Sequence, residues 1–216
     1  MQDVIKISNT NFVKDNNVYI MGEFDETIST NVIPELVKLI NVEGDKKHGV
    51  INFFINSPGG AARELYALLT LVNIAKAKGI LIITTVIGYA FSCASMLAIT
   101  GDKRFIYEGA SHLMHLGSRL FSISTVEQSN RENLRTERYF DFIVSHYNKH
   151  TNMSKDKIAE VVKDDSYYIS AHECVKLGFA DCVIEELYDK ERFDKKSQST
   201  KKGTQKTTKR KITKKS

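Results

Sequence analysis

Between Ile80 and Ile87 the chain is dominated by β-branched residues, whereas from Thr27 to Ile40 the apolar positions Ile33, Leu36, Val37 and Ile40 recur at helical spacing. These two rhythms alternate along most of the chain. Val18 to Met21 reads as a short strand, followed by an acidic turn and the Thr27–Ile40 helix, in which Pro34 suits a first turn. Val50 to Ile55 is a strand, Asn56-Ser57-Pro58-Gly59-Gly60 a turn, and Ala61 to Ala77 a helix. Ile80 to Ile87 is then a strand, interrupted by Gly88-Tyr89-Ala90 before a helix over Ser92 to Ile99, with Arg104 to Tyr107 as the next strand. Such alternation, with strands too apolar to have a wet face, predicts an α/β fold: repeated βαβ units forming a mainly parallel sheet flanked by helices.

Beyond this lies a long charged stretch, Ser124 to Lys149, in which Leu134, Tyr139, Phe140, Ile143 and Val144 mark one face of an amphipathic helix. Ser154 is placed to cap a second helix through Val162, Asp164-Asp165-Ser166 breaks it, and a short helix near Ala171 to Leu177 precedes a strand around Ala180 to Ile184.

One segment challenges a soluble reading. Gly79 to Gly101 carries no charge and is long enough to cross a bilayer. Its β-branched first part, its glycine and its helix-favouring end fit a strand, a turn and a buried helix better than one span, so no membrane association is expected. Composition agrees, with 42% hydrophobic and 26% charged residues. The formal charge of +5 hints at nucleic acid until it is located: Lys195 to Ser216 holds ten Lys/Arg and no acid, leaving −5 on the rest. Residues 188–216 are therefore expected to be a basic, disordered tail, through which alone nucleic acid could be contacted; residues 1–17 are read as a leading segment and 18–187 as the folded domain. Cys93, Cys174 and Cys182, odd in number and without paired spacing, point to free thiols in a reducing compartment, and no secretory leader is evident in the first thirty residues; the cytoplasm is the expected location. No zinc spacing occurs.

Three segments carry candidate chemistry. The Gly59-Gly60 turn can present unobstructed N–H groups beside a helix start, although a plain tight turn would use the same residues. Ser92 stands between a buried strand and a helix, where the next backbone N–H, that of Cys93, could face an oxyanion; the commoner role for a serine there is an N-cap. His115, in Ser111-His112-Leu113-Met114-His115, could be a base or a satisfied core histidine.

In order and approximate spacing these segments resemble the Clp protease proteolytic subunit family. Tyr19-Ile20-Met21-Gly22 is similar to its first strand, Phe54 to Gly60 to its glycine-rich segment, Gly88-x-Ala90-x-Ser92 to its nucleophile motif, Met114-His115 to its histidine, and Leu177-Gly178-Phe179-Ala180-Asp181 to its last helix and strand. The resemblance implies a ClpP/crotonase-like fold with β-β-α units and a protruding long helix. It implies a serine endopeptidase working by an acyl-enzyme, with Ser92 as nucleophile, His115 as base, the Gly60 and Cys93 amides as oxyanion hole, and no metal or cofactor. The family's aspartate falls on Asp165 read forward from His150-Thr151 and on Ser166 read backward from Ser170-Ala171; a single insertion after Asp165 leaves Asp165 as the acid. Implied partners are further copies in a double ring, with the Ser124–Lys149 helix at the ring contact, peptide or unfolded-protein substrates, and an ATP-driven unfoldase. A catalytically silent ring subunit, a phage-type ClpP-like capsid maturation protease and a crotonase-type acyl-CoA enzyme are the alternatives. Departures are Leu116-Gly117 where the family commonly has Gln-Pro, and about three extra residues between Gly60 and Ser92.

Overall fold

The computed structural model describes residues 11–41, 49–117, 126–163 and 167–185, with side chains from residue 133 onward in the third segment. All but Glu185 lie in the first of two units into which the chain divides after Ile184. The order of elements is β1 (Phe12–Lys14), β2 (Asn17–Ile20), a π-helical turn (Ile28–Val32), α1 (Ile33–Asn41), β3 (Val50–Ser57), α2 (Ala62–Ala77), β4 (Leu81–Phe91), α3 (Cys93–Ala98), β5 (Lys103–Tyr107), β6 (Ser111–Met114), α4 (Val126–His150), α5 (Lys155–Val161), β7 (Tyr167–Ser170), α6 (Ala171–Leu177) and β8 (Cys182–Ile184).

The eight strands form one sheet in the order β1-β2-β3-β4-β5-β8, with β6 paired to β4 and β7 to β6. All pairs are parallel except β1–β2 and β6–β7. This is the mixed α/β architecture, mainly parallel and flanked by helices, that the alternation predicts. β1 and β7 are not predicted: three or four residues are too few to show a period.

β4 corrects the expected interruption at Gly88-Tyr89-Ala90, because the strand continues to Phe91. Its first half, Ile83 to Val86, pairs with β5, and its end, Tyr89 to Phe91, pairs with β6. The register against β3 shifts between Ile55 and Ser57, and there the Asn56 side chain steps in, its Oδ1 accepting the Tyr89 N–H at 3.2 Å. A Cβ on residue 88 would collide with that Oδ1, so glycine here makes room for a bulge and does not end the strand. With α3 following, Gly79 to Gly101 is strand, turn and helix. Among the described residues no helix is long and apolar enough to cross a membrane.

The core collects Ile51, Phe53 and Ile55 of β3, Leu65, Leu68 and Val72 of α2, Ala94 and Leu97 of α3, and Ile143 and Tyr147 of α4. Each large aliphatic side chain so buried contributes about 1.5–3 kcal/mol. β3 alternates strictly between buried and half-buried positions, unlike the dry strand expected from its composition; Phe54 on its second face stacks on Tyr19 at 5.4 Å, and Tyr19 on Phe12 at 4.6 Å.

Local rules fix the helix ends near the C-terminus. The Ser154 hydroxyl caps α5 by accepting the Lys157 N–H, Ser170 and Glu173 form a capping box on α6, and Gly178 ends α6 in the left-handed region at φ 77°. The Arg104 guanidinium then ties three elements together, donating to the carbonyls of His150 (2.8 Å) and Gly178 (2.6 Å) and pairing with Asp181.

Candidate active site

β3 delivers Ser57 to Gly60 at its carboxyl end, and β4 delivers Ser92 beside it. The glycine turn is pinned by the Ser57 hydroxyl, which donates to the Gly22 carbonyl (2.6 Å) and accepts the Gly59 N–H (3.1 Å). It is pinned again by Phe24, whose N–H donates to the Gly59 carbonyl at 2.7 Å and whose carbonyl accepts the Ala61 N–H at 2.8 Å. Gly59 (φ 87°) and Gly60 (φ 142°) both occupy the positive-φ region. A Cβ on Gly59 would stand 2.5 Å from the Phe91 carbonyl oxygen, 2.8 Å from the Ser92 Cβ and 2.9 Å from the Cys93 nitrogen. The glycine turn therefore rests directly on the serine turn.

Ser92 itself is strained, at φ 54° and ψ −122°, a conformation costing a non-glycine residue about 1–3 kcal/mol. It sits at the N-cap of α3, yet its side chain makes no capping hydrogen bond. The capping role, the ordinary reason for a serine there, is absent. Its N–H donates to the Leu113 carbonyl at 3.0 Å and its carbonyl accepts the Met96 N–H at 3.2 Å, so the backbone is held from both sides while the hydroxyl is left for other work.

The same Ser92–Leu113 bond continues the parallel β4–β6 ladder, in which Phe91 faces Leu113. His115 follows one residue beyond β6 and is half-buried. The fold thus gathers the Gly60, Cys93, Ser92 and His115 backbone segments at the carboxyl ends of three neighbouring strands, where open parallel sheets place their sites. Asp165 lies outside the described residues, as do Asp164 and Ser166. Description resumes at Tyr167, the first residue of β7, which faces Met114 in the antiparallel β6–β7 register.

The core histidine of this strand is His112. It is 1% exposed, its Nδ1 is hydrogen-bonded to the buried Ser95 Oγ at 2.9 Å, and its ring meets Phe179 edge-on. Burial lowers its pKa to about 3 from the usual 6.5. The unfolded chain binds a proton there between those two values and the folded chain does not, so the stability from keeping His112 neutral is complete above about pH 6.5 and drains away as the pH falls toward 3. In urea unfolding across that window, His112→Gln is expected to flatten the pH dependence by up to one proton, about 1.4 kcal/mol per pH unit. An unchanged slope would assign the acid sensitivity elsewhere, His150 being the next group to examine, since burial holds it at about 4.

Aromatic side chains border the serine turn without a motif to announce them: Phe91 meets Tyr89 at 4.9 Å and Tyr168 at 5.5 Å, nearly perpendicular. Among the described residues no group of three or more His, Cys, Asp or Glu side chains could hold a metal ion.

A mainly parallel α/β sheet thus carries a strained serine turn seated under a glycine turn, with a histidine at the end of the neighbouring strand. The chain belongs to the Clp protease family, whose model, described as Clp protease, matches residues 2–187. Among curated relatives, the ATP-dependent Clp protease proteolytic subunit of Deinococcus radiodurans is 27% identical over 178 residues, covering 81% of this chain and 82% of that protein. The subunit of the same name from Dehalococcoides mccartyi is 26% identical, covering 82% and 86%. Among solved structures, a mutant of ClpP1 from Listeria monocytogenes shares the fold with a TM-score of 0.67 at 19% identity, over 80% of this chain and 93% of that one. The ClpP protease catalytic domain of Plasmodium falciparum does so with a TM-score of 0.58 at 24% identity, over 80% and 86%.

Proposed function

We propose that this Clp-family chain is a serine endopeptidase that cleaves peptide bonds through an acyl-enzyme on Ser92. The observation that carries the proposal is the Ser92 turn: a non-glycine residue held at φ 54° with a hydroxyl that caps nothing. Strain of this kind persists where it serves chemistry.

In the mechanism, His115 accepts the Ser92 hydroxyl proton as the oxygen attacks the carbonyl carbon of an extended peptide, and the N–H groups of Gly60 and Cys93 receive the oxyanion. His115 then gives its proton to the departing amine. Water, deprotonated by the same imidazole, hydrolyses the ester and returns Ser92. The Cys93 amide supports this assignment because it is the first N–H of α3 and has no partner within the helix.

Asp165 is proposed to hold the second ring nitrogen of His115 and stabilise the imidazolium. β7 begins at Tyr167, and Tyr167 faces Met114, the residue before His115. Measured side by side, Asp165→Asn is expected to slow acylation by about three to four orders of magnitude and Ser166→Ala by less than tenfold. The reverse pattern would establish a Ser-His-Ser site, and indifference in both a dyad.

The catalytic chamber is proposed to form by assembly of further copies into rings, with α4 at the contact and an ATP-driven unfoldase feeding peptide; the basic segment Lys195 to Ser216 is proposed to be dispensable for chemistry. A fluorophosphonate probe followed by peptide mapping tests the central claim: a label on Ser92 is expected, and a folded, assembled chain that takes none would be the silent subunit.

A further inference from the structure

The residue after the nucleophile offers more than its backbone amide. Cys93 is 1% exposed, and its thiol donates to the Gly60 carbonyl with Sγ and O 3.2 Å apart. The Ser92 and Tyr139 hydroxyls lie close enough to bear on the proton affinity of the same sulfur. It therefore bonds to the glycine turn from the serine turn and faces Tyr139 of α4. Burial raises the thiol's pKa, so at neutral pH it remains S–H and keeps a proton to donate. Burial also raises that of Tyr139, which stays a neutral phenol.

Resting on the proposed roles of Ser92, Gly60 and Cys93, we infer that the Cys93 side chain is a positioning residue that clamps the two turns of the oxyanion hole together, with Tyr139 as its support from α4. The geometry explains why a clamp is needed. Gly60 and Cys93 lie on different strands, and their amides can receive one oxygen only if the turns keep a fixed separation. Phe24 and Ser57 hold the glycine turn from its outer side, whereas the Cys93–Gly60 bond is the described side-chain link between the two turns. Misplacement of either donor weakens the stabilisation of the developing charge and leaves ground-state peptide binding nearly untouched, so the loss falls on kcat.

Cys93→Ala removes both the donor and the filler. Its kcat for a fluorogenic peptide and its fluorophosphonate acylation rate are expected to fall about tenfold, with KM within twofold. Cys93→Ser, which keeps a donor in place of the thiol, is expected to recover to within about threefold of the parent. Tyr139→Phe is expected to lose about threefold in kcat, and to add nothing further in the Cys93→Ala background, because both act through one contact. Thermal unfolding and native mass are recorded for each, and should Cys93→Ala fail to fold, the Tyr139→Phe and Cys93→Ser values decide. Equal losses in Ala and Ser variants, or kcat unchanged in Cys93→Ala, or in Tyr139→Phe where Cys93→Ala does not fold, would overturn the clamp while label on parent Ser92 leaves the nucleophile standing. A parent chain without label at Ser92 removes the nucleophile and the clamp with it.

Discussion

Replacing Ser92 by alanine is expected to lower kcat for peptide hydrolysis by about 10⁴–10⁶-fold and to abolish fluorophosphonate labelling, with folding preserved. The separation of activity from stability follows from the turn. The Ser92 hydroxyl does not cap α3, and the bonds that hold the residue in place run through its N–H to Leu113 and its carbonyl to Met96, all of which alanine keeps. Ser95→Ala is the informative control, because Ser95 is buried and paired with the buried His112. Removing its hydroxyl strips a neutral imidazole of its partner and is expected to destabilise by about 1–3 kcal/mol while acylation proceeds. The two serines thus exchange signatures, one catalytic and one structural. Activity retained in Ser92→Ala and lost in Ser95→Ala, with stability equal in both, would place the nucleophile at the wrong serine.

The second large effect is expected at Gly59. Alanine there meets the Phe91 carbonyl oxygen at 2.5 Å and the Cys93 nitrogen at 2.9 Å, both backbone atoms that cannot swing aside, and at φ 87° it is strained besides. The turns must separate, at a cost of about 3 kcal/mol or more in stability. A displacement near 1 Å at the proposed oxyanion hole is expected to lower kcat by about 100-fold in the molecules that do fold. Gly109→Ala, where an added Cβ meets nothing within 4 Å, is expected to change stability by less than about 0.5 kcal/mol. Thermal unfolding and steady-state kinetics of the two variants check this; similar behaviour in both would mean that the turns yield independently.

How much of this could be read from the sequence depended on how local the cause is. α6 is specified within nine residues by Ser170, Glu173 and Gly178, and it forms where a short helix near Ala171 to Leu177 is expected. β3 and α2 follow from their own periodicities. The end of β4 does not, because Gly88 breaks a strand in isolation and continues one only when Asn56 from β3 fills the bulge. β7 owes its strand conformation to β6, and β1 to β2, so neither is signalled by its own three or four residues. At the site, residue type and order pointed to Ser92, His115, Gly60 and Cys93 through a family resemblance. The contact of Gly59 with the Ser92 turn and the reach of the Cys93 thiol to Gly60 join residues more than thirty positions apart, and no spacing rule encodes such pairs.

The strand order also governs when the centre can exist during synthesis. The Leu113 carbonyl that holds the Ser92 N–H belongs to β6, and β6 gains its outer partner only from β7, far downstream beyond the long α4. A chain emerging N-terminus first carries the glycine turn, the serine turn and His115 well before the strand that seals their edge. Such distant pairings form late and slowly. The turn at Ser92 thereby acquires its full set of neighbouring strands only after residue 170 has been synthesised, so the order of synthesis and the order in which the strands lie side by side do not coincide.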